Sequence, residues 1–402
     1  MTGDRAPRRI LFLGTHGQAN VGDELLLETF LDQLGSEHRY DVNSYDPADT
    51  ARKLAPTHDV DVFDTAGSPV GVLRRIVRAD VVVFGGGSIV KELYGSTGRW
   101  RYSTLCMVLA IVATARLTRT PVLLSNVGVG PITRRTGRLL AGLVVRLASA
   151  VSVRDVGSLE TCERLGCRPG SVRLVPDAVW ANDAGRLAPS APLALDPRPG
   201  AAPLRIALNV NRDIEDASAW EPFTRSLVEA LRLAGAERPI EVHGLPMQCA
   251  FKQRTDLDEL DRLFEQLDGA PGVRTVRHAP ADHREVAAII EACDVVVTER
   301  LHAIVMASVL GRAVVGLPYD VKVRELVDQL GLVERSFDVN RHVDPAALAA
   351  AVLDAADHGE REGRRLAALA TSRRCQALVY FSDVRTWLER PDRRGWPTTV
   401  AG

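Results

Sequence analysis

Lysine is almost missing from this chain. Of fifty basic residues only Lys53, Lys91, Lys252 and Lys322 are lysines, and every other positive charge is an arginine. A lysine that persists against such a bias points to a task for its compact, three-donor ammonium. Excess charge of one sign is missing as well. The net charge is −1 over 402 residues, which excludes the chain-wide electrostatic footprint of a nucleic-acid binder. Long hydrophobic runs are absent too. The most apolar stretch, LCMVLAIVATARL at 105–117, is interrupted by Arg116 and falls short of the ~20 residues a membrane span needs. Residues 1–9 are polar and basic, and ILFLG at 10–14 is too short for a signal-peptide core. The expectation is a cytoplasmic protein with no transmembrane segment. Its six cysteines are scattered, and Cys162 and Cys167 form the only close pair. No second pair completes a zinc site, so reduced thiols are expected. Nor is there an H-x-x-x-H, a paired-carboxylate or a G-x-S-x-G signature, which argues against a metal hydrolase or a serine esterase. No metal is called for.

What is present is alternation. Short β-branched runs read as strands at 10–14, 80–85, 122–128, 150–155 and 172–176, then at 204–210, 240–245, 273–278, 294–299 and 313–318. Helical periodicity fills the gaps at 23–34, 101–117, 135–148, 156–165, 219–234, 256–266, 282–293, 301–311 and 321–330. Near-continuous apolar strands separated by helices predict an α/β protein whose parallel sheets are covered on both faces. The length favours two domains. The Pro- and Ala-rich stretch at 184–203 reads as a linker between Rossmann-like domains at 1–183 and 204–358. An Arg- and Ala-rich helix and tail occupy 359–402. The predicted architecture is glycosyltransferase-B-like, with the C-terminal helix crossing back to the first domain.

Ligands of open parallel sheets bind beyond the carboxyl ends of the strands, and the unusual residues stand there. After the first strand, GTHGQANVGDE (14–24) lacks the dinucleotide spacing G-x-G-x-x-G. It offers Asn20, Gly22 and loop amides to a substrate, with Asp23 as either a helix cap or an acceptor of a sugar hydroxyl. FGGGS (84–88) lets a ligand approach Gly86 and Gly87 closely, Ser88 can cap the next helix, and Lys91 follows. SVRDVGSLE (152–160) places Arg154 either as an ion-pair partner of Asp155 or as an anion clamp. VPD (175–177) ends a strand at Asp177. In the second half, His243, Gln248 and Lys252 lie in one strand-end loop. TERLHA (298–303) sets Arg300, Leu301 and His302 at a strand-to-helix turn, where free amides and the helix dipole favour an anion. Tyr319, Asp320 and Lys322 stand at the last such turn.

NVGDE, FGGGS, VGVGP (127–131), SVRDVGSLE, VPD, TERLHA and the G-x-x-Y-D-x-K pattern at 316–322 occur in order between residues 10 and 332. Together they resemble the polysaccharide pyruvyl transferase family. The resemblance implies transfer of a pyruvyl group from phosphoenolpyruvate to a sugar of a polysaccharide or glycan precursor of the cell envelope, as a cyclic ketal, with release of phosphate. It implies an acceptor side in the first domain and a phosphoenolpyruvate side in the second. No cofactor is implied beyond phosphoenolpyruvate as donor substrate, and the partners are that donor and a free or lipid-linked glycan. His302, Arg300 and Asp23 are the implied catalytic set: His302 for phosphate and proton, Arg300 for the carboxylate, Asp23 as base for the acceptor hydroxyl. Asn20, Gly22, Gly86, Gly87, Ser88, Lys91, Arg154, Asp177, Leu301, Tyr319, Asp320 and Lys322 are the implied substrate binders. Peripheral contact at the inner face of a membrane is open to the Arg-rich tail. Two other readings share the scaffold: a nucleotide-sugar glycosyltransferase or epimerase, and an anion-binding homologue without turnover.

Overall fold

The structure is a computed structural model that describes residues 6–93, 100–188, 193, 202–212, 217–251, 254–391 and 395–396. The chain divides into two compact units. The first holds residues 1–18, 23–181 and 375–402, the second 19–22 and 182–374. The four-residue segment 19–22 therefore groups with the second half of the sequence, although the sequence alone places it in the first domain.

The first unit is a seven-stranded parallel sheet in the order β3-β2-β1-β4-β5-β6-β7. Its strands are β1 (Arg9–Leu13), β2 (Arg39–Ser44), β3 (Asp59–Asp64), β4 (Val81–Gly85), β5 (Val122–Val127), β6 (Ala150–Val153) and β7 (Val172–Leu174). Between them run α1 (Val21–Leu34), α2 (Pro47–Leu54), α3 (Pro69–Arg78), α4 (Ser103–Leu117), α5 (Arg135–Leu147) and α6 (Val156–Arg164). Alternate residues of each strand feed opposite faces. Leu11, Leu13, Val82 and Phe84 pack with α3, α4 and α5 in one core layer, while Phe12 meets Phe30 of α1 on the other face.

The second unit has five parallel strands in the order β10-β9-β8-β11-β12. After the short α7 (Ala184–Leu187) come β8 (Leu204–Asn209), α8 (Trp220–Glu237), β9 (Ile240–Gly244), α9 (Asp256–Leu267), β10 (Val273–Val276), α10 (His283–Ala292), β11 (Val295–Thr298), α11 (Leu301–Val309), β12 (Ala313–Gly316), α12 (Val321–Gln329) and α13 (Pro345–Asp357). The expected linker opens with α7, and most of its remainder, 189–192 and 194–201, lies outside the described residues. The last helix, α14 (Gly359–Glu389), begins in the second unit, and its residues from Cys375 onward belong to the first. There Tyr380 hydrogen-bonds Ser125 Oγ and, at 2.7 Å, Ser152 Oγ. Phe381 stands edge-on to Phe30 at 5.3 Å. Burying a side chain of that size is worth about 2 kcal/mol, so the helix end is a structural member of the first unit.

Ten strands fall where the apolar runs predict them. β2 and β3 do not announce themselves, because RYDVNS and DVDVFD carry polar residues at buried or half-buried positions. Asp41 is fully buried against the Arg9 guanidinium at 2.9 Å, and Asn43 is spent on both polar atoms of Gly14. Sequence periodicity cannot see charges neutralised from another strand. The helices α2, α3, α7 and α13 are likewise not marked by the sequence periodicity.

Candidate functional site

The strand order reverses between β1 and β4 in the first sheet and between β8 and β11 in the second. Such switch points open crevices at the carboxyl ends of strands. Most of the residues singled out above are found at or beside these two places.

In the second unit, β11 runs into TERLHA. Thr298 Oγ1 donates to Asn209 Oδ1 of β8 at 3.2 Å and accepts the Arg300 amide at 3.1 Å, which sets the turn. Asp256, 2% exposed, accepts from Arg300 Nε at 3.1 Å and from Arg300 Nη2 at 2.5 Å. Asn209 Nδ2 (3.0 Å) and the Met247 amide (3.1 Å) complete its shell. The Nε–Nη2 edge of the guanidinium is thus taken by Asp256 from within the protein. Asn211 Nδ2 in turn holds Glu299 at 2.8 Å. The next helix, α11, starts at Leu301 with Arg300 as its N-cap, whose side chain makes no capping hydrogen bond. His302 is half-buried in that first turn. A Cβ on Gly22 would collide with the His302 ring at Nδ1, so residue 22 must be glycine for the histidine to stand where it does. Segment 19–22 is held there by the Val21 amide donating to Met247 O at 2.9 Å and by a backbone bridge between Asn20 and Gln248. Gly22 of NVGDE and His302 of TERLHA, 280 residues apart in sequence, meet at this point.

The α12 turn is built differently. Asp320 caps the helix by accepting the Val323 amide at 3.0 Å, Asn340 Nδ2 donates to Tyr319 O at 2.9 Å, and Lys322 lies half-buried in the first turn. Tyr319 packs on the core of the unit. His243 has partners of its own. It pairs with Glu241 Oε1 at 2.7 Å and with His278 at 2.9 Å, and burial lowers its pKa while pushing His278 down to about 4. Lys252 lies outside the described residues.

At the start of α1 the cap is Asn20, whose Oδ1 accepts the Gly22 amide at 3.0 Å. Asp23 is not the cap. It accepts the Thr15 hydroxyl at 3.0 Å, and a Cβ on Gly87 would lie 3.5 Å from that hydroxyl oxygen, so the loops after β1 and β4 come together. Gly86 and Gly87 have φ of 66° and 69°, where only glycine is unstrained. Ser88 caps no helix of the described residues, where the next one starts at Ser103 behind Tyr102. Lys91 is half-buried in the same strand-end loop. Arg154 pairs with Asp177 Oδ2 at 2.6 Å rather than with Asp155, which caps α6 by accepting the Ser158 amide at 2.7 Å. Burial opposes the charge on Arg154, but the carboxylates of Asp177, Asp155 and Asp23 hold it protonated, above its ordinary value. Asp177 also accepts the Val179 amide at 3.0 Å.

Two residues here escaped the sequence reading. Glu24 accepts the Gly17 amide at 2.7 Å, and burial pushes its carboxyl up to about 7. His16 is stacked on Phe12, and neither ring nitrogen has a hydrogen-bond partner. Burial pushes its imidazole down to about 3. The acidic pair in NVGDE was a visible signal for Glu24. Nothing local marks His16, whose neighbours are tertiary. Among the described residues no group of three or more His, Cys, Asp or Glu side chains could hold a metal ion, and no helix is long and apolar enough to cross a membrane.

Two parallel Rossmann-like sheets with interleaved helices define a glycosyltransferase-B-like fold. The protein is similar to Anabaena HepE, solved with UDP and glucose (TM-score 0.63, 15% identity, 94% of this chain and 99% of that one). It is similar also to the kitacinnamycin glycotransferase (0.56, 17%, 95% and 100%) and to the UDP-GlcNAc 2-epimerase of Methanocaldococcus jannaschii (0.54, 14%, 90% and 99%). At these identities the likeness speaks for the fold alone. Among curated proteins no match is found. The model of the polysaccharide pyruvyl transferase family matches residues 20–321, and the chain belongs to that family, as its ordered motifs suggested.

Proposed function

We propose that this protein transfers a pyruvyl group from phosphoenolpyruvate to a sugar of a glycan precursor, closing a cyclic ketal and releasing phosphate. The observation that carries the reading is His302, packed against Gly22 in the first turn of α11, a helix whose N-cap residue makes no side-chain cap. A donor with a phosphate and a carboxylate suits that helix start, a titratable imidazole and the Lys322 ammonium. Arg300 holds Asp256 and thereby the β11–α11 turn, so its part is positioning.

In the reaction one acceptor hydroxyl oxygen bonds to C2 of the enol while C3 gains a proton. The second hydroxyl oxygen then bonds to C2 as the C2–O bond to phosphate breaks, and its proton leaves with the phosphate. His302 is assigned to the phosphate and to proton delivery. Asp23, oriented by Thr15, is assigned to the first hydroxyl, and Glu24 beside it can hold or yield a proton near neutral pH. Gly86, Gly87, Ser88 and Lys91 are assigned to the acceptor. The acceptor is a cell-envelope glycan, and a cytoplasmic location follows from the use of phosphoenolpyruvate.

The test is phosphate release from phosphoenolpyruvate across a panel of glycans. His302→Ala should lower it by about two to four orders of magnitude without changing the circular-dichroism spectrum, and Lys322→Arg by at least ~10-fold. Near-normal turnover in His302→Ala would sink the assignment. Thermal stabilisation by UDP and not by phosphoenolpyruvate would favour a nucleotide-sugar enzyme instead.

A further inference from the structure

The near-zero net charge of the chain conceals a segregated surface in the first unit. Helices α3, α4 and α5 are neighbours on one face of the seven-stranded sheet, α4 touching both of the others. Right-handed crossovers place successive helices of this kind on the same side. Segments 69–78, 103–119 and 134–147 hold nine arginines and not one Asp or Glu. Eight of these arginines are exposed, and Arg75 alone of the nine is ion-paired with a described residue, Asp61 at 3.0 Å. On the opposite side of the sheet, α1 carries Asp23, Glu24, Glu28 and Asp32 and no basic residue.

Aliphatic side chains lie among these arginines. Val70, Leu73 and Val77 follow the i, i+3, i+7 spacing of one helix face in α3 and are all exposed, Val77 at 60%. Leu117 at the end of α4 is 85% exposed, and Leu139 (59%) and Leu143 line the outer face of α5. Single exposed leucines need no explanation, but a basic surface shared by three helices and studded with them does.

We propose that the outer face of α3, α4 and α5 docks this protein on an anionic lipid bilayer. The arginines meet lipid phosphates and the aliphatic side chains enter the headgroup–acyl boundary, as in helices that lie in the interface plane. Charge complementarity selects an anionic partner, and the aliphatic interleaving selects a bilayer over a nucleic acid. Bases would be met by aromatic stacking and hydrogen bonds, and would leave Leu117 and Val77 in water. This surface differs from the C-terminal tail that the sequence offered for membrane contact. The proposal does not depend on the reaction, so either can fail alone.

Flotation with vesicles tests it. The protein should float with phosphatidylcholine vesicles containing about one-third phosphatidylglycerol and stay behind with phosphatidylcholine alone, and added salt should reverse the binding. At about fivefold per arginine, the Arg74→Ala, Arg78→Ala, Arg138→Ala triple variant should weaken partitioning by roughly 100-fold. Val77→Ser with Leu139→Ser should also weaken it by at least ~10-fold. All five positions are exposed, and unchanged melting curves would show that the fold persists. A control lacking Arg341, Arg361 and Arg364, exposed arginines of the second unit, should float as the parent does. The proposal is overturned if the parent fails to float, if both face variants float normally, if the control loses binding equally, or if single-stranded RNA displaces the protein from the vesicles.

Discussion

Two seams invite comparison, each where a strand passes into a helix through an arginine. In the first unit β6 leads through Arg154 and Asp155 into α6; in the second β11 leads through Glu299 and Arg300 into α11. Both arginines are largely covered and pair with a carboxylate distant in sequence, Asp177 in one case and Asp256, the first residue of α9, in the other. The helix starts then diverge. Asp155 closes α6 by accepting the Ser158 amide, whereas α11 has no side-chain cap and carries His302 in its first turn. The lesson is that an arginine at a strand end does not mark an anion site by itself. What distinguishes the two is whether the N-cap side chain accepts a following amide.

The strongest way to break this contrast runs through Gly22. Gly22→Ala puts a methyl group against the His302 ring and leaves every charged group in place. Phosphate release should fall by at least ~100-fold, close to the loss in His302→Ala, because a misplaced proton donor is nearly as costly as an absent one. If Gly22→Ala retains parental turnover, the close approach of segment 19–22 to α11 has no functional meaning, and the seam is open for some other reason.

A second test asks whether the two buried pairs differ in function as well as position. Removing one partner of a buried pair costs roughly 3–5 kcal/mol, so Asp177→Asn and Asp256→Asn should lower stability to denaturant by similar amounts. Below their transitions, the Asp256 variant should lose at least ~10-fold in turnover, since Arg300 is the N-cap residue of α11. The Asp177 variant should lose little. An equal loss in both would mean that Arg154 also reaches the substrate.

How much of this was legible in the residues alone follows from what each feature depends on. Ten strands and the parallel architecture were readable because buried parallel strands are apolar on both faces, and the placement of sites after them follows from topology. Asp155 as a cap was readable from a short local pattern. The pairings were not. Asp177 lies 23 residues from Arg154 and Asp256 lies 44 from Arg300, and no local rule couples them. So the sequence leaves Arg154 open between Asp155 and an anion, and it cannot show that Arg300 also bonds Asp256. Asn20 took the capping role that one reading gave to Asp23, because the helix starts two residues earlier than its apolar periodicity shows. The glycine at 22 was visible, but its reason, a histidine ring from the far end of the chain, was not.

The smallest effect separates capping from function. Asp155 and Asp320 perform the same local task, each accepting an amide three residues on, at 2.7 Å and 3.0 Å. Replacing either with Ala should cost about 1 kcal/mol of stability. Their helices differ in what the first turn carries. α6 holds Val156 and Gly157 there, while α12 holds Lys322. Loss of the Asp320 cap lets that turn fray and moves the ammonium, so KM for phosphoenolpyruvate should rise several-fold at nearly constant kcat, the signature of weakened ground-state binding. Asp155→Ala should leave both constants unchanged at the same cost in stability. A matched rise in KM for Asp155→Ala would place the α6 start in contact with the donor, and the contrast between a closed seam and an open one would have to be redrawn with both open.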